Sequence, residues 1–167
     1  MTLEARSPLG IEAWLKSRNW RASFVAALGG FLTIFLLSDL GQSLEIPLLI
    51  APFGASCVLV FGAPASPFAR ARNVIGGHCV AALMGLAAFS IFGPGTAGAA
   101  AGVGLAIIGM SLTDMTHPPA GAVPIVVTLT QPDWSFLLTP IAVGAIAIVL
   151  GGKLYQRLVA GYSGLKS

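Results

Sequence analysis

Two histidines give this chain most of its potential for chemistry. His78 follows two glycines within a long apolar stretch, and His117 directly precedes two prolines. An imidazole can donate a hydrogen bond, accept one, or carry a proton near neutral pH. Asp114 precedes His117 by three residues and adds a carboxylate. These side chains could bind an anion, carry a proton or act as acid and base, and His117 could instead cap a helix.

The spacing of these residues does not indicate a catalytic or metal-binding arrangement. The sequence has no nucleophile, base and orienting group at a recognised spacing, and no two histidines one helical turn apart. We therefore predict no catalytic residue, no bound metal and no cofactor. An intramembrane enzyme that uses His117, His78 and Asp114 stands as the alternative to transport.

The composition is that of an integral membrane protein. Hydrophobic residues make up 56% of the chain and charged residues 9%, whereas a soluble domain has roughly 25% charged residues. No charge occurs between Ala22 and Leu37 or between Val74 and Leu112, as expected of transmembrane helices. The net charge of +3 comes from basic residues at the ends of such stretches. The expected partner is therefore the lipid bilayer and not nucleic acid.

The chain divides into one transmembrane domain and two flanking segments. Residues 1–21 are predicted to form an amphipathic cytoplasmic segment, residues 22–160 the transmembrane domain, and residues 161–167 a cytoplasmic tail. Six apolar segments cover residues 22–40, 46–62, 74–92, 96–112, 118–130 and 136–152. We therefore predict an all-α, polytopic bundle of membrane helices.

The second and fifth segments are each broken by proline and glycine, and they resemble each other. Pro52-Phe53-Gly54-Ala55 and Pro119-Ala120-Gly121-Ala122 lie 67 residues apart, and the same offset places Gly77 on Gly144. Each broken segment is predicted to join an extended stretch to a half-helix. Residues 22–93 and 96–160 then form a three-plus-three inverted repeat with six crossings. Four transmembrane helices with two re-entrant half-helices are the alternative.

The basic residues predict how the domain is oriented. They lie before the first segment, between the second and third, and after the sixth, at Arg21, Arg70, Arg72, Lys153 and Arg157 among others. Because basic loops stay in the cytoplasm, both termini and the loop at residues 70–72 are expected on that side. The expected location is the inner (plasma) membrane of a bacterium.

Inverted half-helices would bring two helix amino termini together near the middle of the bilayer. Each such end carries unpaired amides and about half a positive charge, which favours an anion. Gly54 and Gly121 would let the backbone approach it. The predicted substrate-binding residues are Phe53, Gly54, Ala55, Ser56, Asn73, His78, Thr116, His117, Pro119, Ala120, Gly121 and Ala122, with Arg72 and Asp114 at the mouth of the pathway.

Three blocks of sequence resemble the HPP family of integral membrane proteins. They are the run THPPAGA at residues 116–122, APFGAS at 51–56 followed by Ser66-Pro67, and RNVIGGH at 72–78. The resemblance implies a polytopic membrane protein, usually described with four transmembrane helices. It also implies transport of nitrite, because some members of that family are associated with it.

Together these patterns predict a transporter or channel for a small monovalent anion, with nitrite as the first candidate. A scaffold subunit without its own pathway is a third possibility. Six short spans in 167 residues make a thin bundle, so we also expect a homo-oligomer.

Overall fold

The computed structural model describes residues 20–164 of the chain, with side chains described through residue 159. Six α-helices occur in this range: α1 Trp20–Ser43, α2 Ala51–Gly62, α3 Ala71–Phe92, α4 Thr96–Leu112, α5 Val123–Thr130 and α6 Val143–Gly164. The described residues contain no strand, so the predicted all-α class is confirmed. The expected surface segment up to residue 19 and the last three residues lie outside the described part.

Helix lengths separate the long segments from the broken ones. Three helical stretches are long and apolar enough to cross a membrane, namely Trp20–Ser43, Ala71–Phe92 and Trp134–Val159. α4 has 17 residues, whereas α2 has 12 and α5 has 8. The two segments that the sequence predicts to be broken are therefore the two with the shortest helices.

Proline decides where the helical part of each broken segment begins. Ile50 is extended before Pro52 in the first turn of α2, and His117 is extended before a 3₁₀ turn at Pro118–Ala122 that leads into α5. Proline lacks an amide hydrogen and disfavours the helical conformation in the residue before it. The rule for the preceding residue explains the extended His117 before Pro118, whereas Pro52 marks the first turn of α2, where its missing amide hydrogen costs nothing.

The sixth apolar segment contains an irregular stretch that the sequence analysis did not predict. A 3₁₀ turn at Trp134–Leu137 and a π-type turn at Leu138–Ala142 precede α6. Thr139 leaves the helical conformation, with φ −131° and ψ 116°. Pro140 follows it, and proline pushes the preceding residue towards the extended conformation.

The first broken segment runs antiparallel to the second half of α1. Gly41 near the end of α1 faces Leu48, and Gly29 near its middle faces the ring of Phe61. The non-helical residues up to the extended Ile50, together with α2, therefore lie alongside α1 from Gly41 to Gly29. Extended chain advances ~3.3 Å per residue against ~1.5 Å in a helix, which explains how a 12-residue helix reaches so far.

The second broken segment runs parallel to α3. Gly76 faces Met115 and Gly85 faces Pro124. Residues 115–124 therefore run alongside residues 76–85 of α3 in the same direction. α4 packs antiparallel on α3, where a Cβ on Gly109 would lie 2.8 Å from Val80, and it also contacts the second broken segment, through Gly102 and Pro124. The close approach at these glycines of α4 is made within one chain.

α6 repeats this parallel packing on the first broken segment. A Cβ on Gly144 would overlap the Phe53 ring, and a Cβ on Gly152 would overlap Val60. Each broken segment thus packs in parallel on the last long helix of the other half of the chain. Gly77 and Gly144, which the 67-residue offset aligns, each face a broken segment, one at His117 and the other at Phe53.

Candidate functional site

Three polar side chains meet in the interior where the two halves interlock. Ser56 of α2, His78 of α3 and His117 before the second 3₁₀ turn are each 0% exposed. The Ser56 Oγ lies 2.9 Å from Nε2 of His117 and 3.4 Å from Nε2 of His78. We call these residues the buried triad. A hydroxyl on one broken segment thereby joins a histidine on the other.

His117 is held by contacts on both sides of its ring. Its Nδ1 lies 2.9 Å from the carbonyl oxygen of Phe68, in the 3₁₀ turn at Pro67–Ala69. Its Cβ sits over Gly77, where an added Cβ would be only 2.6 Å away. The carbonyl of His117 accepts the amide of Ala120, which closes the 3₁₀ turn. The ring therefore has little freedom to turn.

His78 is fixed by its own helix and by two neighbouring rings. Its Nδ1 lies 2.8 Å from the carbonyl oxygen of Val74, one turn earlier in α3. Its ring centroid is 5.2 Å from that of Phe53 and 4.9 Å from that of His117. Both histidines consequently present Nε2, and not Nδ1, to the Ser56 hydroxyl.

The tautomer of each histidine follows from these partners. A carbonyl oxygen can only accept, so the Nδ1 of each ring must carry the hydrogen and donate it to Phe68 or Val74. In a neutral imidazole the other nitrogen is then an acceptor. Two acceptor nitrogens therefore face one hydroxyl, which also lies 3.1 Å from the carbonyl oxygen of Pro52.

A polar clamp holds the loop that carries His117 against the start of α3. The Arg72 guanidinium donates to the carbonyl of Thr113 at 2.7 Å and lies 3.5 Å from the Asp114 carboxylate. The Asn73 amide donates to the carbonyl of Thr116 at 2.9 Å. The Arg72 and Asp114 side chains are 58% and 93% exposed, so this clamp lies at the edge of the bundle.

The structure brings some of the predicted site residues together and separates others. Phe53, Ser56, His78, His117 and Ala120 are fully buried in the centre, and Asn73 and Thr116 are joined through the clamp. Pro119 and Gly121 are half-buried, while Gly54, Ala55 and Ala122 are exposed. A Cβ on either predicted glycine, Gly54 or Gly121, would meet nothing within 4 Å. Asp114 pairs with Arg72 and makes no bond to His117.

The backbone supplies contacts that sequence reasoning missed. Phe68 and Val74 orient the two histidines through their carbonyls, and Pro52 offers a third acceptor to Ser56. The spacing of Ser56 four residues after Pro52 and His78 four after Val74 is the helical i−4 relation, which the sequence does contain. The Phe68 contact spans 49 residues and has no such local signal.

The triad offers a metal ion few ligands. Two imidazole nitrogens and one hydroxyl converge there, and the described part of the chain contains no group of three or more His, Cys, Asp or Glu side chains placed to hold a metal. The imidazoles and the hydroxyl can form hydrogen bonds and exchange protons.

The sequence profile of the HPP transmembrane region matches residues 15–163, a range that includes the whole triad and the clamp. The chain belongs to the HPP transmembrane family. This HPP chain is 33% identical over 141 residues to a transmembrane protein of Dictyostelium discoideum, covering 79% of this chain and 44% of that protein. A second transmembrane protein of the same organism is 32% identical over 142 residues, covering 79% and 48%.

These comparisons place the chain among membrane proteins. This HPP chain spans less than half the length of the curated relatives that it matches. No solved structure matches it significantly. The three long apolar helices agree with the family assignment.

Proposed function

We propose that this chain transports a small monovalent anion across a membrane, with nitrite as the first candidate. The observation that carries the proposal is the hydrogen bond between Ser56 and His117, which joins the two broken segments inside the bundle. Irregular backbone at membrane depth is tolerated where it is buried in protein or lines a pathway, and paired broken helices are typical of transporter sites.

The packing directions support six crossings and an inverted repeat. Residues 48–61 run antiparallel to α1 from Gly41 to Gly29, the direction that a crossing segment would take. Residues 115–130 follow α3 in the same way. The two parallel pairs, α3 with the second broken segment and α6 with the first, are the packing expected of two related halves. This arrangement puts the first and last described residues on one side, which we propose is cytoplasmic.

The closed state of the site supports a carrier more than an open channel. All three triad residues are fully buried. On one side the polar clamp holds the loop that carries His117, and on the other side Phe53 packs against Gly144 of α6. Alternate loosening of these two contacts would expose the triad first to one side and then to the other. Helix amino termini nearby would favour an anion over a cation.

The decisive experiment is nitrite uptake into liposomes that contain the purified full chain. Ser56→Ala leaves the Nε2 atoms of both histidines without their hydroxyl partner. An unpaired buried acceptor costs ~1–3 kcal/mol, which corresponds to about a 5- to 150-fold change in a rate that depends on it. Ser90→Ala is the matched control, because the Ser90 hydroxyl makes the same i−4 bond in α3, to Leu86, away from the triad.

We expect uptake by the wild type and by Ser90→Ala, with a strong loss in Ser56→Ala. No uptake of nitrite, nitrate or formate by a folded wild-type protein would refute transport and favour a scaffold role. A homo-oligomer and a bacterial inner membrane location remain predictions of the sequence, to be tested by mass measurement in detergent and by fractionation.

A second candidate, an intramembrane hydrolase, is favoured by one contact. A serine hydroxyl 2.9 Å from an imidazole Nε2, with Nδ1 held by a carbonyl, resembles an activated nucleophile with its base. Asp114, which the enzyme hypothesis also used, lies at the exposed clamp and does not orient His117. Covalent labelling of Ser56 by a fluorophosphonate would favour the enzyme, and absence of labelling under conditions that permit nitrite uptake would exclude it.

A further inference from the structure

The hydrogen count in the buried triad is one short. Nδ1 of each histidine donates its hydrogen to a backbone carbonyl, so both Nε2 atoms can only accept a hydrogen bond. The single Ser56 hydrogen lies within reach of both Nε2 atoms and of the carbonyl of Pro52, and the two Nε2 contacts alone need one hydrogen more than Ser56 provides. Every buried side-chain nitrogen and oxygen atom of the described part has a partner within hydrogen-bond distance. The heavy atoms are therefore in place for one more hydrogen than the neutral side chains possess.

One added proton would provide a hydrogen for each of the two contacts between the Ser56 oxygen and an Nε2 atom. Bound to Nε2 of either histidine, it lets that ring donate to the Ser56 oxygen while the Ser56 hydroxyl donates to the other Nε2. The two histidines, 61 and 22 residues from Ser56 along the chain, would then share the charge through the hydroxyl. No bond other than the new N–H bond forms, and the proton leaves by the reverse step.

An anion that binds at the buried triad needs this added proton as its counter-charge. With both rings neutral, the two Nε2 lone pairs point at the site and repel a negative charge. A neutral His117 cannot donate to the anion here, because its one ring hydrogen is committed to the carbonyl of Phe68. The interior offers no other counter-charge, since none of the arginines, lysines, aspartates or glutamates in the described part is buried. Moving an unpaired ion into such surroundings is strongly unfavourable.

We propose that the buried triad is a single proton-binding site and that the chain moves its anion together with one proton. The loaded site is then neutral, and the transported pair is chemically equivalent to the free acid. The role in coupling rests on the proposed anion transport, whereas the shared proton site can be tested without it.

Other titratable and charged groups lie near the triad, and their positions favour the triad itself as the group that binds the proton. Cys57, next to Ser56, faces Gly30 of α1, and Cys79 follows His78 on α3. Arg72 and Asp114 pair with each other at the exposed clamp, and Arg70 is exposed beside the 3₁₀ turn that carries Phe68. α6 contributes Gly144 against Phe53, with its basic residues Lys153 and Arg157 exposed two turns or more further along.

The first test measures nitrite and protons together. Liposomes containing the purified chain and an internal pH dye are given external nitrite, and the rates in protein-free liposomes are subtracted. We expect one proton to enter with each nitrite, and we expect a potassium diffusion potential to leave the rate unchanged. Uptake of nitrite without protons, or uptake that an inside-positive potential accelerates, would overturn the coupling while leaving anion transport intact.

The second test reads the proton site itself. The chain contains two histidines in all, so ¹⁵N-histidine labelling of a protein purified without a histidine tag reports only on His78 and His117. On acidification we expect both ring signals to shift together as one proton binds. In Ser56→Ala they should separate, and in Ser90→Ala they should behave as in the wild type. Independent titration of the two wild-type rings would refute the shared site, whether or not nitrite is transported.

Discussion

Adjacent glycines in α3 allow the placement of His117 to be tested by a single methyl group. A Cβ added at Gly77 would lie 2.6 Å from the His117 Cβ and 2.8 Å from the carbonyl oxygen of Met115. Both are anchored to the backbone of the loop that carries His117. A Cβ added at Gly76 would instead meet the end of the Met115 side chain, which is flexible and can turn away.

The difference in stability between Gly77→Ala and Gly76→Ala follows from these contacts. Alanine favours a helix over glycine by up to ~1 kcal/mol, and this gain is common to both variants and cancels in the comparison. Overpacking against atoms that cannot move costs ~1–3 kcal/mol, and only Gly77→Ala incurs it. At ~2–4 °C per kcal/mol for a chain of this size, Gly77→Ala should melt about 2–12 °C below Gly76→Ala.

Thermal unfolding of the two purified variants in the same detergent measures this difference, and nitrite uptake measures its effect on the triad. Because the clash pushes the loop away from α3, we expect Gly77→Ala to lose most of its uptake and Gly76→Ala to retain it. Equal melting temperatures with equal uptake would refute the close packing of His117 on α3.

Three further changes probe the bundle elsewhere. Cysteine placed at Ala71, in a background without the native cysteines, should resist an impermeant reagent added outside intact cells; ready labelling would contradict the six-crossing arrangement. Arg72→Gln removes the charged donor to the Thr113 carbonyl, so we expect faster hydrogen exchange in residues 113–117 and a changed transport rate. Unchanged exchange would show that the clamp does not stabilise this loop. Gly144→Ala would overlap the Phe53 ring, whereas Gly54→Ala meets open space, so uptake should fall in the first variant and persist in the second.

The Gly54 result also decides between two positions for the anion. If the anion meets backbone amides at Gly54, as the sequence analysis expected, even an alanine there should reduce uptake. If the anion binds at the triad, Gly54→Ala should be tolerated, because Gly54 faces the groove between α1 and α2. The comparison therefore tests the sequence-based site and the structural one in a single experiment.

The sequence by itself determined the features that depend on local chemistry. Low charge and long apolar stretches made the chain a membrane protein, because such side chains are stable only in lipid or in a core. Pro118 made the preceding His117 extended, and Pro52 was recognisable as a first-turn proline, a position where its missing amide hydrogen costs nothing. The two histidines were also recognisable, since an ionisable residue within an apolar segment indicates function.

The tertiary structure alone decided which faces of these segments point inward. In α2, Ser56 turns into the interior while Gly54 and Ala55 face outward, although all three belong to one short helix with no clear apolar face. That choice follows from packing against partners far along the chain, such as Gly144 on Phe53 and His117 on Ser56. The tautomers followed in turn, because the carbonyl of Phe68, 49 residues from His117, takes the hydrogen that would otherwise be free for an anion.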